Sequence, residues 1–523
     1  MTNASHLDLR DRARLIRALE ESTFDLLVIG GGITGAGVAR DGAMRGLRVA
    51  LIEAQDFASG SSSRSSKMIH GGLRYLAQGE VGLVREAASE RKVLHDIAPH
   101  LAQPSWFILP SRKPQETALL KTALTAFEAL GGVAKADRHK VLSPARLSEL
   151  EPLMRSERLH RGLMYREYLT DDARLTLANV RSAAAHGAVV ANYIAASAFH
   201  SGPVSEIVCT SILPDAAATL RIRAKVVVNA AGPWVDELRQ IEDGQAGARL
   251  ALSKGVHLVT ARDRLPIQHT VIINTPDKRS VFAVPCGAFT FLGTTDAFHP
   301  QVEYWPEVAK DDAAYLLDAA RSALNVPDLG LDDVVSTWSG LRPLVRQEGK
   351  ASNEISRKDE VWTGPGGMIS IAGGKLSAYR AMAERIVDLV VSRLGQRVAK
   401  CGTAQEALPG GGQAAALAMP DTLASERLLR LYGDEAGEVL AEGGDVRAEA
   451  RRSVLVEGAL RLEDYWIRRS RRSLFDQGAG LASLDPAAEE MQALLGWSPA
   501  RKALEIENCR DIDRRSRSGL RRA

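Results

Sequence analysis

The chain is poor in the residues that staple or anchor a protein. Its 523 residues include only four cysteines, Cys209, Cys286, Cys401 and Cys509, all far apart. That scatter excludes a disulfide framework, and no C-x-x-C is present to hold zinc or an iron–sulfur cluster. No metal site is expected. No apolar run approaches the ~18–20 residues needed to span a bilayer. The opening MTNASHLDLRDRARLIRALEE lacks an apolar core and carries several acids, so it reads as neither a secretory signal nor a transit peptide. Charge of one sign is also scarce: 67 Lys and Arg stand against 64 Asp and Glu, a net charge of +3. That excess is too small to imply nucleic-acid binding. Hydrophobic content of 45% and charge of 25% are ordinary for a globular protein, and the length suits two or three domains. A reducing cytoplasm is the expected compartment, with attachment to a membrane surface left open.

What is present is concentrated near the front. Leu26–Ile29 is a short apolar run of strand type, followed by Gly30, Gly32 and Gly35 as G-x-G-x-x-G. A helical pattern runs through Val38, Ala39 and Ala43, and a second strand, Val49–Ile52, ends at Glu53. Gly30 makes the tight turn, Gly32 leaves room for a pyrophosphate, and Gly35 lets the helix pack against the sheet. The helix start offers N–H groups to phosphate, and Glu53 sits where a carboxylate can accept from a ribose hydroxyl. The order predicts a bound dinucleotide; a nucleotide-free turn of the same shape is the alternative.

The rest of the chain divides by pattern. A charged amphipathic helix is expected over Leu9–Glu21. Residues near 99–165 are mixed, with helices around Ala118–Leu130 and Pro144–Glu149, and Asp171–His186 reads as a helix. Short strands follow from Val189 to Ala231, and strand-like runs over 250–345 predict an antiparallel sheet beside the parallel one, interrupted by a helix near 307–324. Met368–Ala372 is a last strand, meeting Gly373-Gly374-Lys375 and a helix to about Leu394. LPGGGQ at 408–413 is the clearest linker, and a helical, Arg-rich segment ends in the basic tail DIDRRSRSGLRRA.

The stretch Ala58-Ser-Gly-Ser-Ser-Ser-Arg-Ser-Ser-Lys-Met-Ile-His-Gly-Gly-Leu-Arg-Tyr75 decides which dinucleotide. Small hydroxyl residues can wrap a pyrophosphate, although alone such a loop is more often a flexible connector. In this setting the string resembles the FAD-dependent glycerol-3-phosphate dehydrogenases. So do Thr170-Asp-Asp-Ala-Arg-Leu175, Asn229-Ala-Ala-Gly-Pro-Trp234, Lys254-Gly-Val-His257, Gly293-Thr-Thr-Asp296, Gly340-Leu-Arg-Pro-Leu344, Gly373-Gly-Lys-Leu376 and Leu462-Glu-Asp464. The likeness spans roughly residues 22 to 475 with the motifs in order.

The resemblance implies an α/β fold of the D-amino-acid-oxidase type: a discontinuous Rossmann-like FAD-binding domain, an antiparallel-sheet cap and a C-terminal helical domain. The expected FAD-binding segments are about 22–98, 165–250 and 346–405, the cap about 99–164 and 251–345, and the helical domain 414–523. It implies FAD as cofactor, oxidation of sn-glycerol 3-phosphate to dihydroxyacetone phosphate, and electrons passed to a quinone. Transfer to oxygen, the multi-subunit anaerobic enzyme and a flavin protein without turnover are the alternatives. A single cysteine after 405 counts against the anaerobic form. Peripheral attachment to the cytoplasmic membrane face is implied, and a homodimer stays open.

For cofactor contacts the expectation is Gly30, Gly32, Gly35, Glu53, Ser61, Ser62, Ser65, His70, Gly71, Gly72, Gly373, Gly374, Lys375 and Leu376. Arg342 and Arg357 are expected on the substrate phosphate, with Arg74 as a further candidate, because guanidinium binds phosphate in a fixed fork. Lys375 is expected near flavin or substrate, and Tyr75 to orient substrate or cover the ring. His257 is expected as proton acceptor facing the ring, with His70 as the other candidate and a purely structural histidine as the alternative. Thr294, Thr295 and Asp296 close a loop near the site. The Arg468, Arg469, Arg471, Arg472 cluster and the basic tail read either as solvated faces or as lures for anionic lipid.

Overall fold

The computed structural model describes residues 6–71, 81–214, 217–277, 279–347, 349, 355, 358–412 and 422–520. The expectations for Gly72, Arg74, Tyr75 and Arg357 lie outside the described residues. Two sheets carry the fold. The first has the strand order Glu360–Thr363, Ile369–Ala372, Ala218–Asn229, Thr23–Ile29, Val49–Ile52, Val189–Ala191, with Ser205–Ser211 and Ile194–His200 added beside Ala218–Asn229. From Ile369–Ala372 to Val189–Ala191 the neighbours run parallel.

A parallel sheet is covered on both faces, so its strands read as continuous apolar runs. Leu26 and Val28 point to one face, among Val38, Ala39, Ile386 and Val387 from the helices Ile33–Met44 and Tyr379–Leu394. Leu27 and Ile29 point to the other, with Leu19 and Ile222. Each such buried side chain contributes about 1.5–3 kcal/mol relative to exposure. The helix Ile33–Met44 lies close on its strand because Gly35 has no Cβ: one placed there would meet the Gly30 carbonyl oxygen at 1.9 Å.

The second sheet is antiparallel except where Thr270–Asn274 runs parallel to Ala102–Ser111. Its long pair, Leu250–Ala261 against Val334–Val345, sets Ser253 opposite Arg342 and Gly255 opposite Gly340. The helix Lys310–Ala323 buries Ala313, Leu316, Leu317 and Ala320 against it. Ala102–Ser111 and Arg161–Thr170 form a long antiparallel pair where the sequence suggested only mixed structure. AQPSWFILPS hides its strand behind two prolines and a run of three buried residues, Phe107–Leu109, that breaks the period of two. The expected boundary at 165 falls inside Arg161–Thr170.

The C-terminal helices Val446–Leu455, Leu484–Leu495 and Pro499–Ser516 pack around Tyr465, Trp466 and Met491, while Leu423–Tyr432 buries Leu428, Leu431 and Tyr432 against Ala436 and Ala448. The chain start docks onto this unit: Leu7 and Leu9 are buried, and Leu7 N–H donates to the Val456 carbonyl at 3.0 Å. Its first helix starts at Arg12, with Asp11 capping Arg14 N–H, so Leu9 precedes it.

Two expectations are corrected here. The stretch 408–412 does not hang free. Leu408 is buried and donates to the Ile97 carbonyl at 2.9 Å, and a Cβ at Gly411 would meet that carbonyl at 2.2 Å. The arginine cluster is neither a solvated face nor available to lipid. Arg468 and Arg469 are wholly buried on Asp56, Arg471 pairs with Asp171 and Asp172, and Arg472 pairs with Glu449 and Asp476. Their carboxylate partners are up to 413 residues away in sequence, so no local pattern announces them. No helix among the described residues is long and apolar enough to cross a membrane.

Candidate active site

A cavity of about 1190 Å³ lies between the two sheets. Its floor is the turn after Thr23–Ile29. Gly30 takes φ +114°, and a Cβ there would strike the Ala230 carbonyl oxygen at 2.5 Å. Gly32 faces open space instead, with Ser62 Oγ at 3.2 Å as the one near neighbour of an added Cβ. Gly32 also caps the helix Ile33–Met44 without a side chain, so among the described residues Ser62 Oγ, 2.9 Å from Ile33 N–H, is the one side-chain acceptor in the first turn. Glu53 holds its carboxylate beside this floor. Oε2 accepts from Gly31 N–H at 2.7 Å and Oε1 from Gln55 N–H at 2.8 Å, while burial pushes its pKa up.

The serine loop forms the next wall. Ser61, Ser62, Ser65 and Ser66 all line the cavity. Ser61 Oγ donates to the Leu341 carbonyl at 2.5 Å, which ties the loop to the strand bearing Arg342. Ser65 turns its N–H and Oγ to Asp172 Oδ2, at 2.9 and 2.8 Å. Across the floor, Ile369–Ala372 ends in Gly373 and Gly374 at φ +77° and +81°, then Lys375 and the 3-10 turn Leu376–Ala378. The left-handed backbone at Gly374 favours glycine, and a Cβ there would also press on the end of the Met382 side chain, 2.4 Å from Cε, so glycine suits the route that brings Lys375 to the cavity edge.

The cationic wall is Arg342. Its Nη2 donates to Thr294 Oγ1 at 2.9 Å and its Nη1 to Ser253 Oγ at 3.3 Å, and both nitrogens reach the Thr295 carbonyl at 3.4 Å. Asp296 stands 3.7 Å from Nη1. Gly255 makes the space, since a Cβ there would meet Nη2 at 2.3 Å. Lys254, beside it in the motif, points away and pairs with Asp312 at 2.7 Å.

Of the expected residues, Gly30, Gly32, Glu53, Ser61, Ser62, Ser65, His70, Arg342, Gly373, Gly374, Lys375 and Leu376 line one cavity. Gly35 and Gly71 lie behind it. Gly71 N–H donates to both oxygens of Glu167, at 3.1 and 3.2 Å. His257 does not face the cavity as expected. It is 1% exposed and stacked on Trp338, with ring centroids 4.5 Å apart, and its Nε2 lies 2.8 Å from Ser66 Oγ. Burial, then Arg342 and Lys67, push its pKa well below the usual histidine range.

Three residues were missed by sequence reasoning. Ser66 stands between His257 and the cavity. Glu167, buried and lining the cavity, accepts from Arg91 at 2.6 Å and has its pKa raised by burial, which Arg91 and Lys375 oppose. Lys67, at φ +54°, bonds Asp172 at 3.0 Å, and burial brings its pKa down to about 8. Ser66 and Lys67 carried a signal, their place in the S-S-K string; Glu167 sits in no motif.

A glycine floor open only at Gly32, a buried carboxylate and two turns offering N–H groups suit a long dinucleotide, and the facing cationic wall defines a flavin-dependent oxidoreductase of two-sheet architecture. The family described as FAD dependent oxidoreductase matches residues 25–380, and the C-terminal domain of alpha-glycerophosphate oxidase matches 401–502. An aerobic glycerol-3-phosphate dehydrogenase of Bacillus subtilis is 36% identical, with 95% of this chain and 96% of that protein covered. One of Staphylococcus aureus is 37% identical, with 94% of each covered. The crystal structure of glycerol-3-phosphate dehydrogenase from Bacillus halodurans complexed with FAD superposes with a TM-score of 0.82 at 33% identity, covering 99% of both chains. The chain belongs to the FAD-dependent oxidoreductase family, and within it to the aerobic glycerol-3-phosphate dehydrogenases.

Proposed function

We propose that this chain oxidises sn-glycerol 3-phosphate to dihydroxyacetone phosphate and passes the electrons to a quinone. The observation that carries this reading is the division of one cavity into a glycine floor, a cationic wall at Arg342 and an apolar arm. FAD, when bound, supplies the acceptor for the hydride leaving C2. Gly30, Gly32, Glu53, Ser61 and Ser62 hold its ribose and pyrophosphate. Lys375 and the N–H groups of Leu376 and Ser377 stand ready for negative charge at the flavin edge, where preorganised donors act without reorganising.

Arg342 grips the substrate phosphate with charge-assisted bonds, and Thr294, Thr295 and Ser253 fix its fork. Arg357, placed by its spacing from Arg342, and Arg74, which directly follows the serine-rich loop, share this work, while Tyr75 orients the substrate or covers the ring. The C2 hydroxyl proton passes to Ser66 Oγ as the Ser66 proton passes to His257 Nε2, 2.8 Å away. Burial chiefly holds the imidazole pKa down and the Arg342 charge adds to it, so a bound phosphate dianion, which offsets that charge, removes the second of these effects and makes His257 a better acceptor.

The apolar arm supports quinone over oxygen. Phe107, Leu109, Leu119, Leu120, Ile272 and Phe282 line it, and Leu119 on the helix Pro114–Leu130 is 70% exposed at its mouth. A polar triose phosphate has no use for such a wall, whereas an isoprenoid acceptor does. Because that acceptor is dissolved in lipid, the protein works at the cytoplasmic face of the membrane. The test is anaerobic mixing with glycerol 3-phosphate, then a quinone analogue. Bleaching by substrate and rapid recolouring by the quinone are expected. Failure to bleach would overturn the substrate, and recolouring by oxygen with peroxide release but not by quinone would overturn the acceptor.

A further inference from the structure

The loop from Ala54 to Lys67 is part of the cavity wall, yet it is held in place from the C-terminal helical unit. At its start Asp56, wholly buried, accepts from Arg469 Nη2 at 2.9 Å, from Arg468 Nε at 2.5 Å, and from Asn192 at 3.2 Å. At its end one carboxylate does three jobs. Asp172 Oδ2 takes the N–H and Oγ of Ser65, while Oδ1 takes Lys67 Nζ at 3.0 Å and Arg471 Nη1 at 3.2 Å. Arg471 adds a bond to Asp171. Lys67 and Arg471, on either side of Asp172, both take left-handed backbone, φ +54° and +61°. Non-glycine residues persist in that region only where their surroundings hold them.

Stability alone is a weak reason for such a junction, since a buried ion pair is often no more stabilising than an apolar pair of the same volume. What the ions add is register. Arg468, Arg469 and Arg471 follow one another along a single turn and grip the two ends of the same loop. Glu53 lies three residues before the first grip, and Ser65 is itself the second.

We propose that Arg471, with Arg468 and Arg469, is a positioning residue for FAD: the C-terminal unit clamps the Ala54–Lys67 loop in its cofactor-holding shape. Ser65 and Lys67 come to their places through Asp172, and Asp172 through Arg471. Linkage is reciprocal, so FAD binding in turn tightens the C-terminal unit around its π-helical turn Asp464–Arg469.

The experiment titrates FAD into deflavinated protein. Arg471→Met is expected to weaken FAD binding at least about tenfold, the size of an ordinary coupling between contacting residues. Arg471→Lys restores part of it. Arg501→Met, which breaks the buried Arg501–Glu505 pair elsewhere in the same unit, leaves FAD affinity unchanged. Ser65→Ala weakens FAD by itself, and adding it to Arg471→Met costs little more, because both act through Asp172. Unchanged affinity in Arg471→Met, or losses that add fully in the double variant, would overturn the clamp. Should Arg471→Met fail to fold, hydrogen exchange on the unsubstituted apoprotein decides. FAD must slow exchange over 464–476, and equal rates with and without FAD would overturn it. Both readouts are binding measurements, so they stand apart from the choice of substrate and acceptor.

Discussion

Ser66 Oγ lies 2.8 Å from His257 Nε2, and the serine lines the cavity while the histidine does not. Nδ1 of the ring has no hydrogen-bond partner among the described residues, and Trp338 covers one face. Replacing either Ser66 by Ala or His257 by Asn therefore removes the same proton route. Each variant should slow flavin reduction by about 10²–10⁴-fold, the usual worth of acid–base help, with little change in substrate affinity. A full-speed single turnover in Ser66→Ala would remove the relay.

His257 also predicts a pH effect on stability. Its folded pKa is depressed, so the unfolded chain binds the extra proton first. The contribution is present above the unfolded histidine pKa and is lost as pH falls below it. Between pH 7 and 5, His257→Asn should lose less stability than the parent, by at most about 1.4 kcal/mol per pH unit. Denaturant midpoints at the two pH values measure this; parallel losses in both proteins would contradict it.

Arg342 is held on the cavity wall with Asp296 3.7 Å from Nη1 and with Thr294, Ser253 and the Thr295 carbonyl accepting from its fork. Arg342→Ala should raise KM for glycerol 3-phosphate by about 30-fold or more, from the loss of a charge-assisted pair of 2–5 kcal/mol, while FAD stays bound. Inorganic phosphate should compete with substrate in the parent and lose that power in the variant. An unchanged KM would place the phosphate elsewhere.

Two glycines of one motif should fail in different ways. A side chain at Gly32 meets only Ser62 Oγ, at 3.2 Å, so Gly32→Val should fold and purify colourless. A side chain at Gly35 meets the Gly30 carbonyl at 1.9 Å, so Gly35→Val should fail to fold. Circular dichroism and flavin absorbance separate the two outcomes. A yellow Gly32→Val would argue against pyrophosphate at that spot.

That contrast marks what the sequence could disclose. Motifs whose residues act through backbone shape, such as Gly30 with its +114° φ or Gly374 at +81°, are legible because one residue type satisfies the geometry. Pairings set by tertiary approach are not. Arg471 reads as one of a run of surface charges until the fold brings Asp172, 299 residues away, beneath it. His257 carries the right chemistry in the right motif and shares a strand face with Gly255, yet its register partner Trp338 stacks on it and Ser66 stands between it and the cavity that Gly255 lines. Glu167 sits on Arg161–Thr170, where four consecutive buried residues, 162–165, break the alternation, so its approach to Gly71 had no trace in spacing.

The apolar arm can be tested without touching the flavin. Leu119 is largely exposed, so Leu119→Asp should cost little stability, because surface changes are usually small. It does remove the apolar contact that a long isoprenoid tail would gain, about 1.5–3 kcal/mol for a buried leucine. KM for a long-tailed quinone should rise about tenfold or more, while a tailless analogue is affected less and anaerobic reduction by glycerol 3-phosphate proceeds at the parent rate. The split matters because the two half-reactions share one cavity. A variant that slowed reduction as well would point to a general disturbance. Equal KM values for both quinones, before and after substitution, would mean that the tail binds elsewhere and that the arm has another occupant.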